Sequence, residues 1–151
     1  MLVNWIFNNV WVLFILVSVL NAFYLRIRSK KFIEKQPGLQ EGFDRLITGE
    51  LIYLNIPWVV AGIGIVFGGV PGFLSYLTPR HGNLFVLAFH ATIIALWIFT
   101  FWWIYFKGGA EFLVKYSGMA NYQLKSPVFL KFLFALELAF GIAGMVLMWS
   151  L

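Results

Sequence analysis

The sequence predicts an all-α integral membrane protein, a four-helix bundle with both termini on the outer side of the bilayer. Three observations predict it. Of 151 residues, 62% are hydrophobic and only 11% are charged, against about 45–50% and about 25% in soluble domains; the mean hydropathy is +0.87. A soluble fold of this length could not hide so much apolar surface, so the solvent for most of it is lipid. Four stretches, 3–25, 50–69, 83–106 and 128–150, approach or exceed the roughly 20 apolar residues that a spanning helix needs. They are too long, and alternate too little, for the strands of a barrel. Finally, the basic residues sit almost entirely in the first and third connections. The chain reads as one domain over residues 1–151, with no internal repeat and no low-complexity tract.

The first span (3–25) has no Lys or Arg before it and no small-x-small pattern after it, so it reads as a retained helix and not a cleaved signal. At 100° per residue, Asn4, Asn8, Trp11, Ile15, Ser18 and Ala22 share one face. A polar-to-small stripe of this kind belongs against protein.

The first connection (26–49) carries Arg26, Arg28, Lys30, Lys31, Lys35 and Arg45. Beyond the Pro37–Gly38 break, Leu39, Phe43, Leu46 and Ile47 recur at helical spacing, which predicts a short amphipathic helix on the membrane surface. The second span (50–69) starts at Glu50 and holds Asn55 and Pro57. Pro57 cannot donate to the carbonyl of Tyr53, so a kink is expected there, with free backbone groups that could line a path. Gly64 and Gly68 form a G-x-x-x-G contact face. The string GIGIVFGG has Phe67 where a dinucleotide loop needs its third glycine. The second connection (70–82), broken by Pro71, Gly72 and Pro79, is expected to fold back onto the outer end of the helices.

The third span (83–106) is free of Lys, Arg, Asp and Glu but contains His90. The third connection (107–127) begins at Gly108–Gly109, and its AEFLVKY predicts a second short surface helix. The fourth span (128–150) has two marked faces. One is a small stripe of Ala135, Ala139 and Ala143; the other, on the opposite side, combines Glu137 with Gly141, Gly144 and Met148.

Loops 26–49 and 107–127 hold nearly all of the Lys and Arg, which places them on the cytoplasmic side of a multi-pass protein, expected in a bacterial inner membrane. The net charge of +5 has the same origin. Nucleic-acid binding is not expected, because no basic stripe lies on a soluble face. There is no cysteine, which removes disulfide, thiolate and Cys–metal chemistry.

His90 and Glu137 are the ionisable groups deepest in the spans, and such groups mark functional sites by default. Counting depth from opposite membrane faces at 1.5 Å per residue puts them within about one helical turn of each other. The expectation is a His90–Glu137 pair, acting either as a clasp between helices or as a proton or ion site. No Ser/His/Asp set, phosphate loop or soluble carboxylate pair is present, so no catalytic residue is assigned and an enzyme is not expected. No metal site or cofactor is expected either, since His81 would point away from His90 and one protomer lacks the pair that a bis-His haem needs.

The leading expectation is an accessory or oligomeric assembly subunit, a homo-oligomer or part of a larger membrane complex in the lipid bilayer. Its contact faces would be Gly64/Gly68 and Ala135/Ala139/Ala143. The alternative is a minimal proton-coupled transporter or channel using His90 and Glu137, with Glu50, Asn55 and Pro57 along the path. The third is a haem- or quinone-binding membrane anchor.

Overall fold

Helix ends in this chain are set by local chemistry that lies mostly outside the apolar stretches. The computed structural model describes residues 2–79, 82–119 and 126–150, with all of their side chains except those of 2–7 and 119. Arg80, His81 and Lys125, and the side chains of Asn4 and Trp5, therefore lie outside the described part.

Helix α1 runs from Leu2 to Lys35, ten residues past the expected span. Lys, Arg and Glu are good helix formers, so the helix continues after its apolar run ends. It stops where Gln36 takes the extended conformation (φ −147°, ψ 82°) that a residue before proline prefers. A 3-10 turn, Pro37–Leu39, leads directly into α2 (Gln40–Val66). The expected surface helix and the second span are thus one continuous element. Gly49, the only weak helix former at the expected boundary, is carried within it, and Pro57 sits inside it with helix on both sides.

A 3-10 segment, Phe73–Leu77, occupies the middle of the second connection. Helix α3 (Leu84–Phe106) is capped by Asn83, whose Oδ1 accepts from the Phe85 amide at 2.9 Å. Gly108, at φ +73°, turns the chain into α4 (Gly109–Tyr116), the expected short helix. Helix α5 (Pro127–Ser150) opens with proline at its first position and with Ser126 Oγ accepting from the Phe129 amide at 3.3 Å. The described residues form helices, turns and bends and contain no strand, and four helices are long and apolar enough to cross a membrane.

The long helices pack in chain order. Along α1 and α2 the antiparallel contacts are Trp11 on Gly62, Phe14 stacked on Trp58 at 3.9 Å, Ser18 with Asn55, Asn21 with Glu50, and Arg26 with Asp44. Helix α3 meets α2 where Phe85 covers both Gly64 and Gly68, so the G-x-x-x-G face is used inside the protomer. Helix α5 meets α3 where the Trp97 ring covers Gly141 and where Tyr105 Oη donates to the Lys131 carbonyl at 2.8 Å. Helix α4 closes the end where α3 leads to α5. Ala110 is buried there with Ile104 and Leu130, and Glu111 pairs with Lys131 at 3.2 Å. The first and last long helices, α1 and α5, do not pack along each other to any extent. Of all the residues of α5, only Leu130 is fully buried.

Gly62 tests this packing. A Cβ there would lie 2.6 Å from the Trp11 ring, whereas one at Gly49 would meet nothing within 4 Å. Gly62→Leu is expected to destabilise the protein by about 1–3 kcal/mol through overpacking. Gly49→Leu is expected to leave stability unchanged or slightly raised. The check is the midpoint of SDS-driven unfolding in mixed micelles, followed by circular dichroism.

Candidate functional site

The second connection folds back as expected, and this brings a backbone carbonyl into the apolar interior. Tyr76 is fully buried, and its phenol donates to the Ala61 carbonyl of α2 at 2.9 Å. Burial pushes the Tyr76 phenol above its ordinary pKa, so it stays protonated as a donor. Its own carbonyl points at α3 and meets His90 Nε2 at 2.8 Å. His90 is 2% exposed. Its second ring nitrogen, Nδ1, accepts from the indole Nε1 of Trp149 at 3.2 Å, with the two rings edge-on at 90°.

These bonds fix the chemistry of the imidazole. An indole N–H can only donate and a carbonyl can only accept. The ring must therefore be neutral, with its proton on Nε2. His90 joins three pieces of the chain: the 73–77 segment, α3 and α5. An unpaired buried carbonyl costs about 1–3 kcal/mol, which is the penalty that Nε2 removes at Tyr76. Both ring nitrogens are engaged, so neither offers a lone pair to a metal or haem iron in this arrangement. Among the described residues no group of three or more His, Cys, Asp or Glu could hold a metal ion.

The structure does not bring His90 and Glu137 together. Trp149 is the α5 residue level with His90, and Glu137 lies twelve residues nearer the start of that helix, or about 18 Å along the axis. The expected pairing rested on a depth count that assumed both helices start and end at the membrane faces. The contacts Trp97–Gly141 and Tyr105–Lys131 instead fix α5 low against α3, so that its last turn stops at the level of His90. The direct contact on which a His90–Glu137 relay depends is not formed.

Glu137 is exposed and makes no hydrogen bond or ion pair among the described residues. Its one polar neighbour is electrostatic, the hydroxyl of Tyr53. That hydroxyl is already committed to Thr100 Oγ1 and to the Leu96 carbonyl, the latter at 2.6 Å. Glu50 and Asn55 lie elsewhere, on the α1–α2 seam. Asn21 Nδ2 donates to Glu50 Oε1 at 2.7 Å, and Asn55 Nδ2 donates to Ser18 Oγ at 2.9 Å. Asn55 Oδ1 is buried without a partner. These groups act as helix-to-helix bonds, and neither of the two cavities found is lined by them.

The larger cavity, about 490 Å³, is an apolar groove between α3 and α5, lined by Trp97, Phe101, Leu138, Ile142 and neighbouring side chains. The smaller, about 250 Å³, lies beside the folded-back connection, against Ser75, Thr78 and Asn83. Protein-family models, curated proteins and solved structures all give no match to this chain.

Sequence reasoning missed Tyr76, Trp149, Tyr53 and Thr100. The first three read as aromatic anchors at the membrane boundary. One signal was present for Trp149: an indole N–H at the end of an apolar helix needs an acceptor, and His90 is the polar side chain deepest in the neighbouring span.

The neutral imidazole is directly testable. Nitrogen-15 spectra of the labelled protein in bicelles are expected to show His90 with Nε2 protonated and Nδ1 bare; the opposite tautomer, or a doubly protonated ring at neutral pH, contradicts the bonding described. His90→Leu is expected to cost about 1–3 kcal/mol by stranding the Tyr76 carbonyl. Trp149→Phe leaves the buried His90 Nδ1 without its donor and is expected to cost a similar amount.

Proposed function

We propose that this chain is an assembly subunit of a membrane complex: a four-helix bundle spanning the bilayer, with both termini outside and its basic loops in the cytoplasm, in a bacterial inner membrane. One observation carries the reading. Helix α5 is attached to the rest of the molecule along one side only, and the remainder of its surface is built as a contact face. Ala135, Ala139 and Ala143 are all exposed. Small residues in a row let a second helix approach closely, and close approach drives helix association in lipid, where the hydrophobic effect is absent.

Three further features support it. Every described Lys and Arg lies at the end of the molecule where α1 ends and α5 begins, the pattern expected of a cytoplasmic face. The polar groups of His90, Tyr76, Asn55 and Glu50 are spent on holding segments of the chain together. Among the described residues few lie outside helices.

The chain has no cysteine of its own, so single-cysteine variants report contacts cleanly. Extraction from native membranes in mild detergent is expected to give a stable particle heavier than one protomer. Ala139→Cys is expected to cross-link within that particle at several times the yield of a cysteine placed at Phe23, an exposed residue of α1. A strict monomer, with no cross-link favoured at Ala139, contradicts the proposal.

A further inference from the structure

The apolar groove between α3 and α5 has a counterpart on the surface of α5 itself. Its walls include Ile98 and Phe101 on α3 and Leu138, Ile142 and Val146 on α5, and its volume is about 490 Å³. Only apolar and aromatic side chains line it, so whatever fills it is apolar too. At about 100° per residue, Ile142 and Val146 lie to one side of Ala139 on the helix surface, and Leu136, Phe140 and Leu147 lie to the other. These last three are large and exposed, Phe140 by 76%. A hollow thus runs along one side of Ala139 and Ala143, and a row of knobs along the other.

That arrangement is self-complementary. In a twofold pair one surface patch is used twice, so that what each copy offers is received by the other. Two copies inserted in one membrane orientation can share a twofold axis only along the membrane normal. Their α5 helices then lie parallel, and each residue is level with its own counterpart. A half-turn about an axis beside Ala139 and Ala143 sets the Leu136–Phe140–Leu147 edge of each copy against the groove edge of the other. The levels agree: the α5 wall of the groove runs from Leu138 to Val146, Phe140 lies within that stretch and Leu147 at its end. Ala139 and Ala143 are exposed and small enough to let the helices approach until the knobs reach the groove. Charge does not oppose the pairing. From Phe132 to Ser150 the one charged residue is Glu137, about 160° round the helix from Ala139, so the two carboxylates face apart. The competing occupant is a lipid acyl chain, which has more freedom to lose on entering than side chains already fixed to a helix. We infer that the α3–α5 groove receives Phe140 and Leu147 of a second copy of this chain, giving a twofold dimer in which each copy fills the other's groove. The inference rests on the assembly reading above and names the partner.

The test uses the full-length protein in lipid vesicles at a series of protein-to-lipid ratios, with energy transfer read between donor-labelled and acceptor-labelled copies. The wild type is expected to associate as a dimer. Phe140→Ala removes a knob, and Ile98→Trp fills the groove from its own exposed wall. Each is expected to weaken the dimer at least tenfold while leaving the unfolding midpoint of the protein in mixed micelles unchanged. Phe23→Ala, the same kind of truncation on the exposed surface of α1, is expected to leave the dimer as it was. When single-cysteine variants are mixed, Phe140→Cys is expected to cross-link to Ile98→Cys at several times the yield of Phe23→Cys. A wild type that stays monomeric at every ratio overturns the inference. So does a dimer that either Phe140→Ala or Ile98→Trp leaves intact, which would give the groove to lipid. If the particle from native membranes is heavier than one protomer but the purified chain does not self-associate, the assembly reading stands and the second-copy assignment fails. If that particle is a strict monomer, the assembly reading fails whatever the vesicles show.

Discussion

A hydrogen-bonding group in a hydrocarbon setting must find its partner inside the protein, and the rest of this structure follows from how that requirement is met at His90. Folding the second connection back over the helix ends carries the Tyr76 carbonyl out of water. His90 Nε2 takes that carbonyl, and the ring's other nitrogen takes the Trp149 indole. The first bond ties the folded-back segment to α3, and the second is one of three contacts that share a single α3–α5 register, with Trp97 over Gly141 and Tyr105 on the Lys131 carbonyl. The same register brings Lys131 to Glu111 on α4. The same offset carries Glu137 away from His90 and leaves it on an open face. A residue that invites a catalytic or proton-handling role is here a neutral clasp. The residue that seemed to be its partner is exposed, twelve residues nearer the start of α5 than the one His90 meets.

The two halves of the molecule solve the polar problem in different ways. Between α1 and α2 the bonds are side chain to side chain, Ser18 with Asn55 and Asn21 with Glu50, arranged beside aromatic and glycine contacts. Between α2, α3 and α5 they run mostly to backbone carbonyls, at Ala61, Leu96, Tyr76 and Lys131. Tyrosine supplies the donor in three of these four. A phenol offers a large apolar body with a single polar tip, which suits a contact that must bury area and still satisfy one acceptor. In both halves polar chemistry is used to set register, because in lipid apolar burial alone does little to hold one helix at a given level against another.

What the sequence made legible follows from the same physics. Hydropathy located the spanning parts of α3 and α5 to within a residue or so, because Asn83 and Ser126–Pro127 sit where the apolar runs begin. It cut α1 short at residue 25, since good helix formers carry the helix on through Arg26–Lys35 after the apolar run ends. For a related reason it split α2 at Glu50. Glycine spacing marked Gly64, Gly68 and Gly141 as places of close approach but could not say what approached; Phe85 and Trp97 do. The vertical offset of one helix against its neighbour was not legible at all. Apolar length says that a helix crosses a membrane and is indifferent to where it sits against the next, so the level of Glu137 relative to His90 depended on tertiary contacts that no periodicity records.

That offset is the central claim, and it can be measured as a distance. Spin labels at Phe99 on α3 and at Phe140 or Val128 on α5 replace side chains that are already exposed. In the docking described here Phe99 is level with Phe140, and Val128 lies about 18 Å further along the axis. A docking that paired His90 with Glu137 would make Val128 the level one. Double electron–electron resonance in lipid nanodiscs is expected to give a clearly shorter distance for Phe99–Phe140 than for Phe99–Val128. The reverse order contradicts the account.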